Sequence, residues 1–144
     1  MTFSQRSEPF SVQLGDELPY REFKPDNVQL FLYNAILWNA HRIHFDETYT
    51  TEVEGYPGLV IAGPMIGDWL HQCVEDWLGE EGRLVSMEYS NRIAAYIGET
   101  LHYGGNVIAL DSDSQEARVE VFIKNEAGKI VAPGEATVLF ANKE

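Results

Sequence analysis

From residue 64 to about residue 78, apolar side chains recur at three- and four-residue steps: Met65, Ile66, Trp69, Leu70, Cys73, Val74, Trp77 and Leu78. That spacing predicts a helix. Nearly two of its faces are apolar, and such a helix has to be wrapped on several sides. Pro64 suits the first turn, where the missing N–H has no helical partner anyway. Gly79 fits the position just beyond the last turn. Asp68, Glu75 and Asp76 read most simply as a solvated polar face.

The wrapping is supplied downstream. After Gly82 come four runs of β-branched and aromatic alternation, over 84–93, 100–110, 117–125 and 130–141, with turn residues between them. Within the third, Arg118 to Lys124 alternates polar and apolar as a half-buried strand does. Upstream, Gly15-Asp16 marks a turn, 18–23 can form a first strand, and 1–14 reads as a loose or edge segment. Asp26 or Asn27 caps a short amphipathic helix over 27–37, with Val28, Phe31, Leu32, Ala35 and Ile36 on one face. Asp46 opens a second short helix ending near Glu54, and Gly55-Tyr56-Pro57-Gly58 stops it. Residues 59–62 are apolar and short, as a buried crossing is. A strand, short helices, one long apolar helix and a four-strand antiparallel meander define an α+β domain, residues 1–144, with the sheet wrapped around the central helix. Such a sheet has an edge to be covered or paired.

Composition narrows the class. At 144 residues one domain is expected, and 44% hydrophobic with 23% charged residues excludes a disordered chain. The single Cys73 excludes a disulfide framework and fits a reducing, cytoplasmic setting. No apolar leader opens the sequence, and no run approaches the ~20 residues of a membrane span. Net charge is −13, from 10 basic and 23 acidic residues, which argues against nucleic acid as a partner. An anionic ligand would need a local basic cluster, for which Arg83, Arg92, Arg118, Lys124 and Lys129 are available.

Candidate chemistry gathers between Trp38 and Met65, in WNAHRIHFDETYTTEVEGYPGLVIAGPM. Asn39, His41 and His44 lie within six residues. His44 can take and return a proton near neutrality. The N–H of Gly63, at the start of the long helix, can face an oxyanion, and glycine allows close approach to the backbone. Simpler readings stand beside these: Asn39 as the cap of a turn, either histidine as a hydrogen-bonded core residue. His41 and His44 lack a nearby Cys or further His to complete a zinc site, so no metal is expected. The chemistry asks for no cofactor.

The same stretch resembles the active-site segment of the MaoC-like dehydratases, the hot-dog family that includes (R)-specific enoyl-CoA hydratases. Their pattern is Asp-x-Asn-Pro-x-His and an acidic residue, then a strand and a His-Gly pair opening the central helix. Here Asn39 stands at the Asp, His41 at the Asn, Arg42 at the Pro, His44 at the His, and Ala62-Gly63 at the His-Gly. The form NAHRIH…EGYPGLVIAGP is most similar to the branch of hydroxyacyl-thioester dehydratases and mesaconyl-CoA hydratase-like proteins.

The resemblance implies a hydro-lyase acting on 2-enoyl or 3-hydroxyacyl thioesters of CoA or acyl-carrier protein. It implies hot-dog chains paired as a homodimer or heteromer, without nucleic acid or membrane as partners. It implies His44 as proton carrier, Asn39 as water holder and Gly63 as oxyanion donor, with His41, Tyr56, Gly58, Met65 and Trp69 toward the substrate. The family's carboxylate is absent at Asn39, and an amide cannot take a proton. Either His44 works alone, or His41 shares the work, or the chain is a non-catalytic acyl-binding subunit of a heteromer. A hot-dog thioesterase using Asp68 or Glu75 is a further alternative.

Overall fold

The computed structural model of the chain describes residues 11–141, so most of the edge segment expected over 1–14 lies outside the described residues. The long helix, α2, runs Gly63–Leu78 with Pro64 in its first turn. It ends on Gly79, whose φ of 53° places it in the left-handed region that favours glycine. Met65, Ile66, Leu70, Cys73, Val74 and Leu78 are buried, while Asp68, Glu75 and Asp76 face solvent. Trp69 and Trp77 are half-buried at the helix flanks, packed on Phe23 and Phe140.

The sheet has five antiparallel strands: β1 Arg21–Phe23, β2 Gly82–Tyr89, β3 Leu101–Asp111, β4 Glu116–Lys124 and β5 Ile130–Phe140. In β4 the alternation does what the sequence predicts: Ala117, Val119, Val121 and Ile123 are buried, while Arg118 and Glu120 are exposed. β1 is shorter than expected. Pro19 has no N–H to give, so pairing before Arg21 shrinks to Leu18 N–H on the Gly105 carbonyl and a bridge from Glu17 to Asn106.

The four C-terminal strands are neighbours, but not as a simple meander. The order is β1-β3-β4-β5-β2, with β2 added beyond β5. Neighbouring hairpin strands need a short loop. The chain from 90 to 100 instead pairs with the buried 59–62 crossing: Ile61 N–H donates to the Ala95 carbonyl and Ile97 N–H to the Leu59 carbonyl. That pairing carries the chain away from β2 before β3 begins.

The helix before the site, α1, spans Asn27–Ile36 and opens with a capping box. Gln29 N–H donates to Asp26 Oδ1 at 2.8 Å, and Asp26 N–H donates to Gln29 Oε1 at 3.1 Å. Its apolar face turns the opposite way from the sequence expectation. Leu30 and Asn34 are buried, whereas Val28, Phe31, Leu32, Ala35 and Ile36 are exposed. Polar bonds fix the roll of the helix. Tyr33 Oη donates to Asp68 Oδ2 on α2 at 2.6 Å, and the Asn34 carbonyl accepts from Asn39 N–H at 2.8 Å. The second short helix opens as expected, with Tyr49 N–H on Asp46 Oδ1 at 3.0 Å, and continues as a π-helical turn over Tyr49–Val53.

Candidate active site

His44 closes a 3₁₀ turn over Arg42–His44 and is 7% exposed. The 59–62 crossing holds it from beneath. Val60 N–H donates to the Ile43 carbonyl at 3.0 Å, and His44 Nδ1 lies 2.6 Å from the Val60 carbonyl oxygen. A carbonyl can only accept, so Nδ1 carries the hydrogen and Nε2 of the neutral ring keeps its lone pair. Burial lowers the pKa of His44 below the ordinary histidine value. The bond to the Val60 carbonyl opposes that shift, and the neighbouring His41 charge adds to the lowering. The exposed His41 ring meets His44 edge to face, with centroids 5.6 Å apart. Arg42 braces the turn through Asp46 at 2.7 Å and lies over the Tyr49 ring.

His44 and Gly63 line one cavity of about 350 Å³, shared with Ile66, Asn91 and Arg92. Asn91 sits over the helix entry: a Cβ added at Gly63 would lie 2.5 Å from Asn91 Nδ2. The sequence analysis did not single out Asn91, and it named Arg92 only as one of five basic residues. The available signal was the polar Ser90-Asn91-Arg92 interrupting the apolar run of the first downstream strand. Of those five cations only Arg92 reaches this cavity; Arg118 pairs with Glu135 and the Lys124 ammonium lies over the Phe122 ring. A larger cavity of about 590 Å³ adjoins it through Arg92, but Glu88, Glu120 and Glu135 line it and it holds neither histidine nor helix N-terminus.

The other expected residues sit elsewhere. Asn39 is half-buried and outside the cavity lining, with Oδ1 accepting from His41 N–H at 3.1 Å. Tyr56 is half-buried with its ring 6.2 Å from that of Tyr96, and Gly58 is half-buried in the preceding loop. Met65 belongs to the core under α2, and Trp69 packs on Phe23. Neither carboxylate of the thioesterase alternative lines the cavity: Asp68 is exposed and accepts from Tyr33, and Glu75 is exposed on α2. His71 Nδ1 bonds the Gly67 carbonyl of its own helix. Among the described residues no group of three or more His, Cys, Asp or Glu side chains is placed to hold a metal ion.

A buried imidazole with a free Nε2 and the start of a sixteen-residue helix thus face one space. One can exchange a proton, and the other can hold developing negative charge. A family model for hydroxyacyl-thioester dehydratase type 2 matches residues 4–97. The mesaconyl-C(4)-CoA hydratase of Chloroflexus aurantiacus is 50% identical over 46 residues, which is 32% of this chain and 16% of that protein. The mitochondrial hydroxyacyl-thioester dehydratase type 2 of Saccharomyces cerevisiae is 30% identical over 81 residues, 56% of this chain and 28% of that protein. The match thus spans less than a third of the length of each relative.

Among solved structures, an (R)-hydratase from A. caviae superposes with a TM-score of 0.83 at 16% identity, covering 91% of this chain and 98% of that one. A HadBC (3R-hydroxyacyl-ACP dehydratase) complex from Mycobacterium tuberculosis gives 0.70 at 15% identity, covering 88% and 96%. These likenesses carry the fold, a hot-dog. With the family model covering well over half of its residues, the chain belongs to the hydroxyacyl-thioester dehydratase type 2 family.

Proposed function

We propose that this chain is a hydro-lyase that adds water to 2-enoyl thioesters and removes it from 3-hydroxyacyl thioesters of CoA or acyl-carrier protein. The observation that carries the reading is the cavity shared by His44, its Nδ1 tied to the Val60 carbonyl, and Gly63 at the start of α2. Family membership supports the same reaction class. In hydration, His44 Nε2 takes a proton from water as the oxygen attacks the β-carbon. Charge moves onto the thioester oxygen, where the Gly63 N–H and the positive end of α2 stabilise it. The protonated ring then delivers its proton to the α-carbon. Asn39 positions the water; His41, Tyr56, Gly58, Met65 and Trp69 lie toward the substrate.

The assembly reading is a pair of hot-dog units, homodimeric or heteromeric, with residues 1–144 as one unit. The chain's match fills only 16–28% of the curated relatives named above, and the HadBC and ChsH1-ChsH2 structures are each complexes. We place the protein in the cytoplasm, where an unpaired Cys73 is at home. No helix among the described residues is long and apolar enough to cross a membrane. A second reading, the non-catalytic acyl-binding subunit, is favoured by one observation: an amide stands at the family's carboxylate position, and it lies outside the cavity lining.

Hydration of a short and a long 2-enoyl-CoA by wild type, His44→Ala and Asn39→Asp tests both readings. The enzyme reading expects His44→Ala to lower the rate by roughly 10²–10⁴, the scale for losing a general acid–base. It expects Asn39→Asp to preserve or raise activity. The subunit reading expects no turnover until a partner chain is added, and little gain from Asn39→Asp. An active wild type indifferent to His44→Ala would overturn the assignment.

A further inference from the structure

One side of α1, with the two residues that leave it, is apolar and open. Val28, Phe31, Leu32, Ile36, Leu37 and Trp38 are between 49% and 92% exposed, Trp38 the most. Taken together they present roughly 700 Å² of apolar surface, close to the ~800 Å² per partner of a standard interface and above the usual largest patch of a monomer. Trp38 is also held at φ 57°, a left-handed conformation that bulky residues rarely adopt.

Charge and pattern narrow what can cover this face. The ten residues of α1, NVQLFLYNAI, include no charged residue, in a chain of net charge −13. An anionic membrane and an acidic carrier protein are both repelled by that overall field. A second copy carries the same charge, but contact across α1 keeps charged side chains out of the interface centre. The positions 28, 31, 32 and 36 form one seam at three- and four-residue steps, able to pack into the grooves of an identical helix. A self-complementary patch is what a two-fold interface requires.

We propose that a second copy of this chain covers this face, α1 against α1 across a two-fold axis. The inference rests on the paired-unit reading given above and names its surface. It also reaches the site. Asn39 is tied through its N–H to the Asn34 carbonyl of α1, and His41 follows it, exposed. A copy seated on Trp38 closes the open side of the Asn39–His41 turn.

Light scattering on the full chain, with hydration activity measured in parallel, tests this. Wild type should run at twice its 16.3 kDa monomer mass. Phe31→Glu combined with Ile36→Glu should run as a monomer with unchanged far-UV circular dichroism. Trp38→Ser, at a position too exposed for its loss to unfold the monomer, should weaken the dimer at least tenfold and covers the case in which the double variant fails to fold. Val85→Lys, on the β2 edge, should leave the dimer intact. A dimer that survives both α1 variants, or dissociates with Val85→Lys alone, overturns the proposal. So does a monomeric wild type, with or without binding to anionic vesicles. A dimer without hydration activity leaves the interface standing and removes the enzyme reading; an active monomer does the reverse.

Discussion

α1 and α2 both carry apolar residues at helical spacing, and the two sets end in opposite places. Those of α2 pack beneath β2, β3, β4 and β5, with Leu70, Cys73 and Val74 fully buried. Those of α1 face solvent, while Leu30 and Asn34 go inward. Spacing defines a face, but only a neighbour decides whether the face is covered. α2 is held by burial against a sheet. α1 is held by directional bonds: a capping box, the Tyr33–Asp68 bond and the Asn34–Asn39 bond. Even its buried side is not wholly apolar, since Asn34 Oδ1 is buried without a partner.

The sharpest way to break this contrast is to truncate one residue from each helix. Leu70→Ala should cost about 2–5 kcal/mol, through lost burial and the cavity left behind. Ile36→Ala, at a position 83% exposed, should change the stability of the monomer by less than about 0.5 kcal/mol. Urea unfolding at low protein concentration measures both without a contribution from association. Similar losses at the two positions would show that α1 is held by its apolar face after all.

The next test turns to what does hold α1. Asp26→Ala removes the capping box and should cost about 1 kcal/mol. That exceeds the expected effect of Ile36→Ala, although Asp26 is a surface residue and Ile36 a large hydrophobe. A melt in which Asp26→Ala is silent would shift the weight to the Tyr33–Asp68 bond, which Tyr33→Phe then isolates.

The same division explains what could be read from the sequence. α2 and β4 were legible because burial against one sheet imposes a period on neighbouring residues. The roll of α1 was not, because it depends on Tyr33 meeting Asp68, 35 residues away. The place of β2 beyond β5 was not, because the 90–100 link and the 59–62 crossing recognise each other only in the folded chain. In the cavity, His44 and Gly63 were legible as polar and backbone chemistry close together in sequence. Asn91 was not, since nothing local shows that its amide lies over Gly63.

His41 and His44 sit where the two kinds of region meet, one ring exposed beside the end of α1 and the other buried over the crossing that leads to α2. This gives the smallest and most specific test. Burial is the larger reason that the His44 pKa is lowered from 6.5, and the charge of His41 is a lesser one. The other charges on the turn, Arg42 and Asp46, are paired with each other, and Arg92 lies across the cavity. As pH falls, the unfolded ring takes its proton before the folded one. Stability supplied by the neutral His44 is therefore complete above about pH 6.5 and is lost as pH falls through the lower folded pKa. The acid limb of hydration should likewise lie below pH 6.5, because the base is the neutral ring. His41→Gln removes the like charge and leaves the burial. The acid limb should then move up toward 6.5 without passing it, and the pH range over which stability falls should narrow. Profiles of kcat/KM against pH, with the ring titrated by NMR, read both effects. A limb that stays in place, or moves down, would mean that the two rings do not share their protonation and that His44 is set by its buried surroundings alone.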